Sequence, residues 1–122
     1  MLNLSSLRVV VVEDNLTLGQ ILDDFLEENG AILHHFANGD DALVAMLGGL
    51  QPDLLITAHL MPGQLKGAEL VQMLLSRWPT MPTILTTGYE YSVGSELPDH
   101  VVFLRKPWFF SDLEAAIRQA LR

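Results

Sequence analysis

At 122 residues the chain has room for one domain, and a domain of that size buries roughly two-thirds of the surface its unfolded chain exposes. Hydrophobic residues make up 49% and charged residues 18%, the latter below the usual share of about 25%, which argues against a disordered chain. Seven Lys and Arg against 15 Asp and Glu leave a formal charge of -8, which repels phosphate backbones and anionic lipids, so neither nucleic acid nor a membrane is expected as a partner.

The absence of cysteine excludes disulfides and thiolate metal sites and is compatible with a reducing cytoplasm, the expected location. The apolar run at residues 9–12 is too short for a signal core or a bilayer span. No repeat or low-complexity linker divides the sequence.

Residues 7–12 are largely β-branched with no polar alternation, as a central parallel strand covered on both faces requires, and they run into Glu13 and Asp14. Leu18, Ile21, Leu22, Phe25 and Leu26 then recur at helical spacing, and Gly30 closes the helix. Residues 31–36 form a weaker second strand, on which the neighbours His34 and His35 face opposite sides and cannot share a metal. Asn38-Gly39-Asp40 precedes a short helix through Ala42, Leu43, Met46 and Leu47, closed by Gly48-Gly49.

Residues 54–56 read as a buried third strand, which puts Thr57, Ala58 and His59 at its carboxyl lip. Pro62-Gly63 fits a type II turn. A helix over residues 68–77 follows, with Leu70, Val71, Leu74, Leu75 and Trp78 on one face and Pro79 as its stop. Residues 83–87 are the fourth strand. Gly94 and Pro98 leave space for a turn or two of helix at most between residues 88 and 100. Residues 101–104 are the fifth strand, and Ser111-Asp112-Leu113-Glu114 has the pattern of a capping box ahead of a stripe of Leu113, Ala116, Ile117, Ala120 and Leu121.

Strands alternating with helices predict a parallel α/β sheet with right-handed crossovers. Its strand ends carry polar groups to one rim: Glu13 and Asp14 after the first, Thr87 after the fourth, Lys106 and Pro107 after the fifth. Paired carboxylates suit a hard divalent cation such as Mg²⁺, a hydroxyl suits a phosphoryl oxygen, and an ammonium offsets accumulated negative charge. The rim lacks a nucleophile where it would be wanted, because Ala58 is an inert methyl. Asp53 is five residues earlier, roughly 16 Å away at about 3.3 Å per residue, and strand alternation turns His59 away from position 58.

The segments Val9 to Val12 with Glu13-Asp14-Asn15, Pro52-Asp53 with Met61-Pro62-Gly63 and Gly67, Pro82 to Thr87-Gly88-Tyr89, and Phe103 with Lys106-Pro107 together resemble the response-regulator receiver domain of two-component signalling. The resemblance covers residues 7–121 and implies a single receiver-like domain over 1–122. Its fold would be a doubly wound, flavodoxin-like, five-stranded parallel sheet of order 2-1-3-4-5 with a short or irregular fourth helix. It also implies that Glu13, Asp14 and the backbone carbonyl of Leu60 hold Mg²⁺, and that Thr87 and Lys106 contact the phosphoryl group. Phe103, Tyr89 and Trp108 would form the switch and partner face, and the Lys106-Pro107 bond would be cis. The phospho-accepting aspartate is expected at position 58, where this chain has alanine, and any Mg²⁺ is then expected to be weakly held. Trp108-Phe109-Phe110 reads either as a recognition patch or as rings that pack where the last helix enters, with Phe110 as a hydrophobic staple.

Two functions follow from the resemblance. In the first, the chain is a degenerate receiver, not an enzyme, that binds a protein partner independently of phosphorylation. That partner would be a histidine kinase, a phosphotransfer protein or a downstream signalling protein, with homodimer formation as a further option. In the second, it is an ordinary phospho-accepting receiver whose aspartate has been exchanged for Ala58. Flavin or nucleotide binding on the same topology is disfavoured, because Glu13-Asp14-Asn15 puts negative charge where a phosphate cradle would need free amides.

Overall fold

The computed structural model describes residues 2–88 and 97–122. Tyr89, Tyr91 and Gly94, and with them most of the expected short helix, lie outside the described residues.

The elements run β1 (Arg8–Val12), α1 (Leu16–Glu28), β2 (Ile32–Phe36), α2 (Gly39–Leu47), β3 (Leu54–Ala58), α3 (Gly67–Arg77), β4 (Thr83–Thr87), β5 (Val102–Arg105) and α4 (Phe110–Ala120). The strands form one five-stranded sheet in the order β2-β1-β3-β4-β5, with every neighbouring pair parallel. The apolar runs take the central positions: β3 and β4 are buried along their whole length, whereas β2 and β5, at the edges, each keep exposed residues.

Alternation along the strands separates two core layers. Val10, Val12, Leu55 and Leu85 face Met46 of α2 and Leu70, Val71 and Leu74 of α3. Val9, Val11, Leu54, Ile56 and Ile84 face Leu22 and Leu26 of α1 and Leu113 and Ile117 of α4. Among the described residues, no helix is long and apolar enough to cross a membrane.

Pairing continues past the strand ends and brings the rim together. The Glu13 amide donates to the Phe36 carbonyl at 3.0 Å, the His59 amide to that of Thr86 at 3.0 Å, and the Lys106 amide to that of Thr87 at 2.6 Å. The Lys106-Pro107 peptide is cis. Gly63 has φ +100°, the value the second central residue of a type II turn requires.

The helix starts differ from expectation at two points. α4 begins at Phe110, and its first turn is closed by Asp112, whose carboxylate accepts the Phe109 amide at 2.9 Å. Ser111 therefore lies inside the helix rather than capping it, and Glu114 faces Arg118 at 3.5 Å instead of reaching back to the N-terminus. Phe110 is consequently not a staple: it stands in the first turn and stacks on Phe25 of α1, ring centroids 5.2 Å apart. α3 likewise starts one residue early, at Gly67, because Glu69 accepts the Lys66 amide at 2.9 Å.

Candidate functional site

Glu13 is the fixed point of the rim. Its side chain is buried at the end of β1, only 4% exposed, and such a carboxylate needs partners on both oxygens. One oxygen receives the Lys106 ammonium at 2.9 Å. The other accepts the backbone amide of Asn15 at 3.0 Å. Asn15 in turn caps α1, its side-chain oxygen accepting from the Leu18 amide at 2.9 Å, so the turn holding Glu13 and the start of the helix are one hydrogen-bonded piece.

A second anchor comes from β2. The His35 ring has Nε2 3.0 Å from the Glu13 backbone carbonyl and Nδ1 2.9 Å from the Asp23 carboxylate. The ring thus ties β2, the β1 end and the middle of α1 together. Gly19 makes room for it, since a Cβ there would lie 2.9 Å from His35 Cε1.

At the next strand, Ala58 is 1% exposed and belongs to the apolar core. Its carbonyl accepts from the Thr57 hydroxyl at 3.0 Å. The loop that follows folds back tightly. The Gly67 amide donates to the His59 carbonyl at 2.8 Å, and the Ala68 amide donates to His59 Nδ1 at 3.2 Å. His59 therefore caps α3 rather than facing the rim's centre. Gly67 is obligatory here, because a Cβ would overlap the Ala58 carbonyl oxygen and lie 2.7 Å from His59 Cα. From α2, Asp40 grips the same loop by accepting the amides of Gln64 and Leu65, each at 3.1 Å.

The remaining predicted residues fall at distinct depths. Thr87 is buried, 7% exposed, at the end of β4, and Lys106 follows β5. Asp14 and Leu60 are exposed. Asp53 sits at the opposite end of the sheet, where it accepts the Arg8 amide at 2.9 Å. Phe103, on β5, is 40% exposed. Trp108 is half-buried, packed against the α1/α4 core layer and edge-on to Phe110 at 6.3 Å.

The donor set can be compared with what Mg²⁺ requires, which is near-octahedral oxygen coordination built on one or more free carboxylates. Both Glu13 oxygens are engaged, and no group of at least three His, Cys, Asp or Glu among the described residues could hold a metal. Of the two carboxylates Glu13 and Asp14, Asp14 is the exposed one and is left without a second free carboxylate beside it, so these residues do not make a preorganised Mg²⁺ site. What they do make is a closed pair, in which a buried carboxylate and an ammonium satisfy each other at the rim.

Contacts far apart in sequence account for what was not foreseen. His35, Asp23 and Asp40 carry no local pattern that points to the rim. Gly67 did have a signal: a glycine opening a helix just after a Pro-Gly turn marks a close backbone approach.

A doubly wound sheet that gathers acid, hydroxyl and ammonium at one rim defines a receiver-type signalling domain. The chain matches the response regulator receiver domain over residues 9–118 and belongs to that family, whose members in general bind Mg²⁺ at their phosphorylation site. It is 32% identical over 123 residues to the probable transcriptional regulatory protein SilR of Salmonella typhimurium, covering 95% of this chain and 51% of that protein. It is 27% identical over 117 residues to the DNA-binding transcriptional regulator NtrC of Proteus hauseri, covering 93% of this chain and 24% of that one. The chain thus spans about half or less of the curated relatives named here. Among solved structures, the signal receiver domain of a signal transduction histidine kinase from Syntrophus aciditrophicus is similar with a TM-score of 0.82 and 29% identity, over 95% of this chain and 90% of that one. A response regulator receiver protein from Sinorhizobium medicae WSM419 shares the fold with a TM-score of 0.85 at 20% identity, over 98% and 97% of the two chains.

Proposed function

We propose that this chain is a receiver-fold interaction module that works without a phospho-aspartate and is not an enzyme. The observation that carries this reading is Ala58: a buried methyl ends β3 between the rim's carboxylates and Thr87, where the family's acceptor belongs. The Lys106 ammonium, which in the family's chemistry would meet a phosphoryl group, is committed to Glu13 at 2.9 Å. With Lys106 and Glu13 already paired, neither an incoming phosphoryl group nor Mg²⁺ gains the full attraction that an open rim would offer.

Its partners are then proteins of a signalling pathway: a kinase, a phosphotransfer protein or a downstream effector. The formal charge of -8 supports contact with protein rather than with nucleic acid by this domain, and an intracellular setting fits a chain without cysteine. Backbone amide NMR tests the reading. Spectra with and without Mg²⁺ and a small acyl phosphate should superimpose. Donor-dependent shifts centred on Thr87, Lys106 and the amide of Ala58 would overturn it.

A further inference from the structure

The two edges of the sheet are built differently. β5 carries Arg105 and runs into Lys106-Pro107, the charge and proline that ordinarily keep an outer strand from pairing with another chain. β2, the other outer strand, reads Ile-Leu-His-His-Phe and has neither Lys, Arg nor Pro. The Ile32 amide donates to the Leu7 carbonyl at 2.8 Å and the Phe36 carbonyl accepts the Glu13 amide at 3.0 Å, so Ile32, His34 and Phe36 direct their backbone groups to β1. Leu33 and His35 therefore point N–H and C=O outward, and among the described residues nothing in the chain bonds to those groups. Leu33 packs into the α1/α4 layer, whereas Ile32, His34 and Phe36 lie on the α2 side, where Ile32 is 49% exposed.

The surroundings of this edge are uncharged for so acidic a chain. Residues 31–39 and 42–52, which supply β2 and most of the α2 helix packed on it, hold no Lys, Arg, Asp or Glu. The acids nearby are already engaged: Asp40 by the Gln64 and Leu65 amides, Asp41 by Asn38, and Asp23 on the α1 side by His35 at 2.9 Å.

We propose that β2 pairs antiparallel with β2 of a second copy, about a two-fold axis at His34, joining the two sheets into one. A second copy is the occupant because the axis makes this strand complementary to itself. With Leu33 opposite His35 of the other copy, every outward N–H of the strand meets an outward C=O. The neighbouring registers do worse. Setting Leu33 against Leu33 puts His35 opposite Ala31, whose amide is already given to the Leu26 carbonyl at 3.1 Å, and the opposite shift puts Leu33 against Ala37, beyond the end of the strand. In the favoured register His34 faces His34 and Ile32 faces Phe36 of the other copy, in the close pairing with Cα atoms about 4.5 Å apart. The Ile32–Phe36 pairs then cover apolar surface that one copy alone leaves in water. A basic strand would find no acid on β2 to meet, and an acidic one would be repelled by a chain of charge -8. The edge uses none of the rim's side chains, so the inference stands apart from the state of the rim.

Sedimentation velocity of the full chain over a range of concentrations tests it. The parent should show a monomer–dimer equilibrium that tightens with salt, because added ions screen the net negative charge of each copy. His34→Lys and His34→Asp each set like charges face to face on the axis and should weaken the dimer by about tenfold or more, with circular dichroism unchanged. An equimolar mixture of the two should dimerise again, as one lysine meets one aspartate. Ile32→Thr, which keeps a β-branched side chain, should weaken the dimer more mildly. In hydrogen exchange on the parent, the Leu33 and His35 amides should slow as protein concentration rises, while those of Ile32, His34 and Phe36, already bonded to β1, should change little.

A parent that stays monomeric at millimolar concentration in high salt would overturn the proposal. So would a dimer that both His34 variants leave intact, a mixture of folded variants that remains monomeric, or a dimer in which the Leu33 and His35 amides gain no protection.

Discussion

Changing Lys106→Met removes the ammonium and keeps most of the aliphatic stem, which isolates the charge. Glu13 would retain the Asn15 amide on one oxygen and lose its 2.9 Å partner on the other while remaining 4% exposed. Breaking a fully buried pair by removing one member costs about 3–5 kcal/mol, whereas a surface pair is worth about 0–1 kcal/mol. Lys106 is 29% exposed, so water can enter beside Glu13 once the ammonium is gone, and the expected loss lies between those limits, at about 2 kcal/mol. In a domain of this length that lowers the melting temperature by roughly 6–10 °C. Glu13→Gln should cost less, about 1 kcal/mol, because the stranded ammonium can turn to solvent. The double variant should then be less damaged than the sum of the two, with a coupling of about 1 kcal/mol or more. Urea denaturation of the four proteins, with an unchanged slope, measures all of this. A Lys106→Met loss under about 0.5 kcal/mol, or a strictly additive cycle, would show that the pair is an ordinary surface contact and that the rim is not closed by it.

Gly67→Ala should destabilise by about 3 kcal/mol or more, since the new methyl meets the backbone of Ala58 and His59 rather than a yielding side chain, and a midpoint within error of the parent would refute the packing described. Asp40→Ala removes the acceptor for the Gln64 and Leu65 amides, and hydrogen exchange should speed up at those amides by about tenfold while the β-strands keep their protection. Unchanged exchange there would mean that the turn holds itself. Ala58→Asp adds a carboxylate beside the buried Glu13, so the variant should unfold at lower urea than the parent without Mg²⁺ and recover with it. Equal stability with and without the cation would argue that the rim has lost its metal-binding geometry.

Local signals in the sequence carried the sheet a long way. Unbroken apolar runs at β1, β3 and β4 announced buried parallel strands, and the stripes through Leu22, Leu26, Leu70, Leu74, Leu113 and Ile117 marked the helix faces that now cover the two sides of the sheet. Strand order was legible only through the family resemblance, because periodicity says nothing about which strands pair. Helix starts were harder. Ser111 and Glu114 fit a capping box by type, but the helix starts earlier, at Phe110, where Asp112 accepts the Phe109 amide and the Phe110 ring stacks on Phe25. At the rim, the types and positions of Glu13, Asp14, Ala58, Thr87 and Lys106 were readable, but not which of Glu13 and Asp14 would face inward. Burial decided between them: Glu13 turns inward and must be neutralised, while Asp14 remains in water. The braces formed by His35 with Asp23 and by Asp40 with the Gln64–Leu65 amides depend on chain-distant contacts that no window of sequence contains.

Intact-mass spectrometry after exposure to a small acyl phosphate and Mg²⁺, run on the parent chain beside Ala58→Asp, tests the central claim most directly. The account predicts that the parent gains no phosphoryl mass under conditions in which Ala58→Asp gains one that hydroxylamine removes. A Mg²⁺-dependent, hydroxylamine-sensitive phosphoryl adduct on the parent chain would contradict it.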